Sequence, residues 1–242
     1  MQVNGYPIEP DADLEDANLQ GVDLNGANLT RANLTGARLE GANLEGANLT
    51  GARLSLTNLN YARLTCANLT NALLSSVGLQ HADLTGVMLT NAIVENYVTL
   101  QCANLTGADL TGARLWDANL WNANLTNADL TGANLTRAHL ANADLTNAKL
   151  TAADLTGANL TDANLTGANL TRAHLTNADL TGTNLTRANL TNADLTGARL
   201  DYVNLTEANL TEANLTDANL NYANLTDIKW DETTIDPGGW LK

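Results

Sequence analysis

Residues 27–39 read ANLTRANLTGARL, and this stretch decides the fold because its five-residue period runs along nearly the whole chain. Leu occupies every fifth position over residues 14–89, Val94 takes the next place, and Leu resumes over residues 100–225. The residue two positions before is Ala in 36 of these 43 repeats, and the residue between them is Asn or Asp in 30. Thr usually follows the Leu, so the consensus is Ala-Asn/Asp-Leu-Thr-X.

A period of five fits neither an amphipathic helix, with apolar spacings of three and four, nor a strand, with a spacing of two. On a helix of 3.6 residues per turn, successive Leu side chains would be rotated by about 140°, so no single face could be buried. Asn, Asp, Gly and Thr are also poor residues for a helix interior. The chain must therefore turn at each pentapeptide with Leu and Ala facing a shared axis, which predicts a solenoid.

The composition agrees with an interior of small aliphatic side chains, because 44% of the 242 residues are hydrophobic while aromatics are 4% and Phe is absent. The net charge of −14 argues against unassisted attraction to DNA, RNA or an anionic membrane. No apolar run approaches the roughly 20 residues of a membrane span, and the first residues lack the pattern of a signal peptide. We expect a cytoplasmic protein, a monomer or weak dimer, whose partner is another protein.

The motif of residues 27–39 resembles the pentapeptide repeat family, and the resemblance covers residues 12 to about 235. It implies an all-β fold, the right-handed quadrilateral β-helix, with four pentapeptides per coil and hence about 10–11 coils. It also implies that Leu and the small residue two before it point inward, while the other three side chains point outward.

The repeat pattern divides the chain into an N-terminal lead-in or cap, a first repeat block, a second block stacked coaxially on it, and a C-terminal cap. These parts are residues 1–11, 12–96, 97–230 and 231–242. The boundary between the blocks is a phase break of one residue within residues 94–100, which we place near Tyr97.

The C-terminal residues leave the consensus and are expected to cover the last coil, since a solenoid must close its apolar end. Trp230 and Ile235 are expected to continue the inward register. Pro237 should end it, and Trp240 should fold over the end. Dimerisation through this end is the alternative.

Three aromatic residues are candidate contacts for a partner. Trp116 and Trp121 occupy the outward position that Thr normally holds, and Tyr97 lies at the phase break. Large aromatic side chains are enriched at interfaces. The alternatives are surface packing across a corner for the two Trp residues and a tolerated insertion at Tyr97.

No catalytic, cofactor or metal site is expected, and we predict that the protein is not an enzyme. With four repeats per coil, Asp154, His174 and Asp194 form a column on a flat wall with no nucleophile beside them. Cys66 and Cys102 are the only thiols. They are too few for a disulfide scaffold and lack zinc-site spacing, so we expect them to be reduced.

Acidic residues are concentrated at the two ends of the chain. Residues 1–30 contain six acidic and no basic residues, and residues 201–242 contain eight acidic residues and two Lys, whereas residues 31–200 have a net charge of −2. Like charge at both ends would oppose end-to-end association of the open coil edges.

The leading prediction for function is a non-enzymatic rod that acts as a scaffold for protein–protein interaction. An alternative comes from family members that mimic DNA and modulate DNA gyrase, conferring quinolone resistance. This chain departs from them because it has no Phe, no long inserted loop and a nearly neutral middle. A remote alternative is ice or surface binding, which would need one specialised Thr face, whereas Thr is expected after Leu on all four faces.

Overall fold

The computed structural model describes residues 2–95, 98–236 and 239. These residues form a solenoid in which a single bridge residue alternates with a tight turn in each pentapeptide. The longer strands are β1 (Gln2–Val3), β2 (Tyr6–Pro7), β3 (Leu73–Ser75) and β4 (Ile93–Glu95). β1 pairs with β2 antiparallel, and β3 pairs with β4 parallel. Within the described part of the chain, no helix is long and apolar enough to cross a membrane.

Each coil contains four pentapeptides, because bridge partners such as Asp13 and Asn33 lie four repeats apart in the sequence. The N–H of Asn33 donates to the carbonyl of Ala12 at 2.9 Å, and the N–H of Leu14 donates to the carbonyl of Asn33 at 2.7 Å. The residue between Ala and Leu is therefore bonded to the coil before it through its N–H and through its carbonyl. Repeated along the chain, these bonds stack the coils as parallel ladders.

The chain turns at each corner through a residue with positive φ. The N–H of Ala17 donates to the carbonyl of Leu14 at 3.1 Å, and Asp16 between them has a φ of 54°. A positive φ at the third residue of such a turn is the mark of type II and favours Gly or Asn there. This requirement explains why the fifth position of the repeat is so often Gly, Asn or Asp.

The interior contains the Leu and Ala positions of the repeat, nearly all of them fully buried. Thr57 and Thr183 are buried at the Ala position, and each hydroxyl donates at 2.8 Å to a backbone carbonyl, of Leu34 and Leu160 respectively. A polar side chain fits this narrow interior because its hydrogen bond is made.

The bridge residues form four columns, one on each face of the rod. Face 1 begins at Asp13, face 2 at Asn18, face 3 at Asp23 and face 4 at Asn28. Each column continues by one bridge partner per coil, so side chains of one face are stacked directly above one another.

The phase break is confirmed and occurs at one corner. The pairing of β3 with β4 still has the regular spacing of four repeats, but the next bridge joins Gly78 to Thr99, which lies one position beyond that spacing. The extra residue therefore falls between Glu95 and Val98. The predicted site of the insertion, Tyr97, lies outside the described residues.

At the N-terminus the β1–β2 hairpin covers the first coil. Val3 and Tyr6 are partly buried against the core, and Ile8 is fully buried. The side-chain amide of Asn4 donates to the carbonyl of Asn18 at 3.3 Å, which fixes the hairpin to the first repeats.

At the C-terminus the prediction for Ile235 is wrong. Ile235 forms a bridge with Asn214, one position beyond the regular spacing, so it takes the outward bridge position and is 50% exposed. The cause is a second extra residue before Thr234. The hydroxyl of Thr234 donates to the carbonyl of Leu210, as a Thr at the Ala position does.

The other predicted residues of the C-terminal cap lie at or beyond the last regular coil. Trp230 follows the bridge residue Lys229 in the Leu position, but its side chain is half exposed. Pro237 and Trp240 lie outside the described residues.

Leu56 provides a test of the corner geometry, because it has a φ of 62° and its side chain is 66% exposed. We expect Leu56→Gly to raise the free energy of unfolding by about 0.5–1 kcal/mol, since Gly adopts this conformation without the strain of a side chain. The thermal unfolding midpoint measures the effect. Ser55→Gly is the matched control at a corner position without positive φ, and it should lower the midpoint. A lower midpoint for Leu56→Gly would contradict the assignment.

Candidate functional site

Thr does not follow Leu equally on the four faces, which corrects the expectation from the sequence. The two longest unbroken Thr columns lie on faces 3 and 4. They are Thr65, Thr85, Thr106, Thr126, Thr146, Thr166, Thr186, Thr206 and Thr226 on face 3, and Thr30, Thr50, Thr70, Thr90, Thr111, Thr131, Thr151, Thr171, Thr191 and Thr211 on face 4. Face 2 carries the most irregular outward positions.

In several coils where the Thr column is intact, side chains form a hydrogen-bonded ladder. The Thr166 hydroxyl donates to Oδ1 of Asn164 at 2.6 Å, and Nδ2 of Asn164 donates to the hydroxyl of Thr146 at 2.9 Å. The same pattern connects Asn204 to Thr186 and Asn209 to Thr191. The Thr hydroxyls thus bond within the protein both as donors and as acceptors.

Face 2 interrupts this ladder. Its bridge residues are Asn18, Arg38, Asn58, Gly78, Thr99, Asn119, His139, Asn159, Asp179, Arg199 and Asn219. The positions that follow Leu on this face hold Trp121 and Ala141 in adjacent coils, where faces 3 and 4 hold Thr. The step from a large to a small side chain opens a groove.

The groove, which we call the Trp121 groove, has a volume of about 540 Å³. Its walls are Asp117, Asn119, Trp121, His139, Ala141 and Asn159, with Thr99 at one end. Its volume lies within the roughly 300–1,000 Å³ of small-molecule sites. Of the three predicted contact residues, Trp121 is exposed and lines the groove, Trp116 is half-buried and does not line it, and Tyr97 lies outside the described residues.

A second aromatic feature was not predicted from the sequence. Tyr61 and His81 stack with ring centroids 5.1 Å apart, and Tyr202 and Tyr222 stack at 5.0 Å. All four side chains occupy the corner position after face 2, and we call them the aromatic edge. The spacing of one coil within each pair is visible in the sequence once four repeats per coil are applied.

The three tyrosines of the edge are exposed at strained backbone positions. Tyr61, Tyr202 and Tyr222 have φ values of 60°, 59° and 59°. Tyr202 is 62% exposed and Tyr222 is 79% exposed. A bulky residue with positive φ is uncommon and costs stability, and stacking within each pair still leaves more than half of each tyrosine exposed to solvent.

Ion pairs join side chains that lie 20 positions apart in the sequence and therefore in successive coils. Arg137 bonds Asp117 through two nitrogens at 2.8 and 2.6 Å, and Lys149–Asp129 and Arg199–Asp179 pair at 3.1 Å. Arg187 and Glu207 also occupy successive coils, but no ion pair joins them in the described structure. The Arg137 guanidinium lowers the pKa of Asp117 below its usual value, so the carboxylate beside the groove stays ionised and charge-balanced.

Asp154, His174 and Asp194 are consecutive bridge partners on face 1, as their spacing predicts. Burial raises the pKa of Asp194. The hydroxyl and backbone N–H of Thr196 and the hydroxyl of Thr176 donate to its carboxylate and leave its pKa below the ordinary value. The same balance lowers the pKa of Asp154. Among the residues with described positions, no group of three or more His, Cys, Asp or Glu could hold a metal ion.

The geometry defines a β-solenoid of stacked pentapeptide coils. Family models for pentapeptide repeats match residues 12–51, 52–91, 103–140 and 128–167, and a model of a pentapeptide repeat region matches residues 168–238. The chain belongs to the pentapeptide repeat family, whose fold is the right-handed β-helix.

Among solved structures, the chain is similar to HetL of the cyanobacterium Nostoc sp. strain PCC 7120, a pentapeptide repeat protein involved in the regulation of heterocyst differentiation. The identity is 35%, with a TM-score of 0.65, over 92% of this chain and 94% of HetL. The fluoroquinolone resistance protein QnrB1 matches at 19% identity and a TM-score of 0.38, over 87% and 90% of the two chains. This second likeness is one of fold alone. No curated protein matched the sequence.

Asp194 gives a test of the side-chain ladder through pH. Because its pKa is lower in the folded chain, its stabilising bonds are fully present above the unfolded pKa of about 4 and are lost as the pH falls toward the folded value. Asp194→Asn keeps an acceptor for Thr196 but cannot be protonated. We expect the variant to be slightly less stable than the wild type at pH 7 and this difference to shrink at about pH 3.

Thermal unfolding midpoints at the two pH values measure the effect. Thr196→Val, which removes the hydroxyl donor of the same contact, should also reduce the loss of stability in acid. A difference between Asp194→Asn and the wild type that stays constant from pH 7 to pH 3 would contradict the role given to this ladder.

Proposed function

We propose that the protein is a non-enzymatic rod that scaffolds protein–protein interaction, and that it binds its partner through the aromatic edge. One observation carries this proposal: three tyrosines are held exposed at strained corner positions where Gly or Asn would cost less. Aromatic side chains supply large contact area at interfaces. HetL, which is 35% identical, is a protein involved in regulation, and this supports a binding role.

The partner is expected to present Lys or Arg side chains to this edge. Residues 201–242 contain eight acidic residues and two Lys, and they include Tyr202 and Tyr222. Tyrosine ring faces attract cations, and this attraction adds to that of the surrounding negative charge. We propose that the rod is a monomer or weak dimer, because the like charge of its two ends opposes end-to-end association. We also propose that it is cytoplasmic.

A photocrosslinker in place of Tyr202 tests this proposal in extracts of the cells that produce the protein. We expect a defined protein to crosslink from Tyr202 and not from Thr171, the matched control on face 4. Affinity capture of the same protein by the full chain without a crosslinker should fall in the variant Tyr202→Thr/Tyr222→Thr and at high salt, which screens exposed charges. An identical set of crosslinks from both positions, or none from Tyr202, would refute the proposal.

The DNA-mimic alternative is separated by a DNA gyrase supercoiling assay with and without a quinolone. We expect no inhibition and no protection, because residues 31–200 are nearly neutral and several of their acidic side chains are paired with basic ones. Inhibition or protection of gyrase at micromolar protein would favour the gyrase modulator.

The ice-binding alternative is disfavoured because Thr hydroxyls on faces 3 and 4 already bond to Asn or Asp side chains.

A further inference from the structure

The replacement of Thr by Ala141 in the Trp121 groove also removes a hydrogen-bond partner from its floor. On face 3, Nδ2 of Asn164 donates to the hydroxyl of Thr146, one coil earlier. The equivalent acceptor for Asn159 would be residue 141, which is Ala. Within the described structure, Nδ2 of Asn159 makes no hydrogen bond, although its Oδ1 accepts from Thr161.

Other polar groups in the groove are also free to bond a ligand. Oδ1 of Asn119 accepts from the backbone N–H of Trp121, while its Nδ2 has no partner among the described residues. The His139 ring likewise makes no side-chain hydrogen bond to a described residue. The side chains of Asn119 and Asn159 line a space that is also bounded by the exposed Trp121 indole. Half-buried donors without acceptors favour a ligand that brings oxygen atoms to them.

The charge around the groove selects a neutral ligand. Asp117 is the acidic residue of the groove wall, and its carboxylate forms two hydrogen bonds with Arg137. The chain as a whole carries a charge of −14, which opposes phosphate-bearing ligands. A lipid tail would leave the amide donors unpaired. The fitting ligand has a flat apolar face and oxygen acceptors around its rim.

We propose that the Trp121 groove binds a neutral saccharide, with one pyranose ring stacked on the Trp121 indole and its hydroxyl oxygens accepting from Nδ2 of Asn119 and Asn159. The axial hydrogens of a pyranose make an apolar face that an aromatic ring covers, while its hydroxyls point outward in the plane of the ring. This site goes beyond the proposed scaffold function and does not use the aromatic edge.

Isothermal titration calorimetry of the full chain with maltotriose, cellotriose and chitotriose tests the proposal. We expect one of them to bind at one site with a Kd of about 1 mM or tighter. Trp121→Ala should weaken the binding roughly tenfold or more, because it removes the stacking surface. Trp116→Ala is the matched control, since Trp116 does not line the groove, and it should leave the affinity unchanged.

Ala141→Thr is the decisive variant, because it restores the repeat consensus while it fills the groove and gives Asn159 its acceptor. Saccharide binding should be lost while the thermal midpoint stays equal to or above that of the wild type, which excludes unfolding as the cause. No heat with any of the three saccharides, or binding that survives Ala141→Thr, would overturn the proposal.

The saccharide site and the scaffold function can fail separately. If Ala141→Thr abolishes capture of the crosslinked protein partner and no saccharide binds, the groove belongs to the protein interface and this inference fails. Loss of capture in Tyr202→Thr/Tyr222→Thr tests the scaffold function without touching the groove.

Discussion

The whole structure depends on one constraint, which is that the chain must turn at every fifth residue through a positive φ. The turn from Leu14 to Ala17 directs both of these side chains toward the axis and leaves the residue between one turn and the next extended. That extended residue is then free to bond the coil before it. Each turn sets the direction of the next Leu side chain and of the next bridge residue. The buried Leu columns and the backbone ladders are therefore regular only because every corner has the same conformation.

The corner also explains which surface positions distinguish one face of this rod from another. The fifth position is costly for bulky side chains, and the position after Leu is normally held by Thr in a hydrogen-bonded ladder with Asn or Asp. Side chains that break either pattern lose stability or leave donors unpaired. In this chain face 2 and its corner carry Trp121, Ala141 and the tyrosines of the aromatic edge, while face 1 and its corner carry Trp116 and Leu56. Face 2 therefore differs most from the regular repeat.

The interior and the phase break could be predicted from the sequence because both are carried by the strict spacing of Leu and Ala. Trp121 could be placed outside for the same reason. The groove was missed because it depends on Asn159 and Ala141, which are distant in the sequence and become neighbours only through the coil geometry. Ile235 was misplaced because the consensus fades beyond Leu225 and a second inserted residue shifts the register. The Thr at residue 234 was the available signal, since Thr57 and Thr183 show that Thr can occupy the Ala position.

Because each coil contains the same number of repeats, the side chains along every face are spaced at constant intervals. Side chains of one column are separated by whole multiples of the spacing between neighbouring strands, about 4.8 Å. The extra residue between Glu95 and Val98 does not change this spacing, since Gly78 and Thr99 still lie in adjacent coils of the same column. Two contact points on the rod are therefore held at a fixed separation that folding determines and that a partner cannot adjust. A partner with contact groups at another pitch could engage one point or the other, but not both at once.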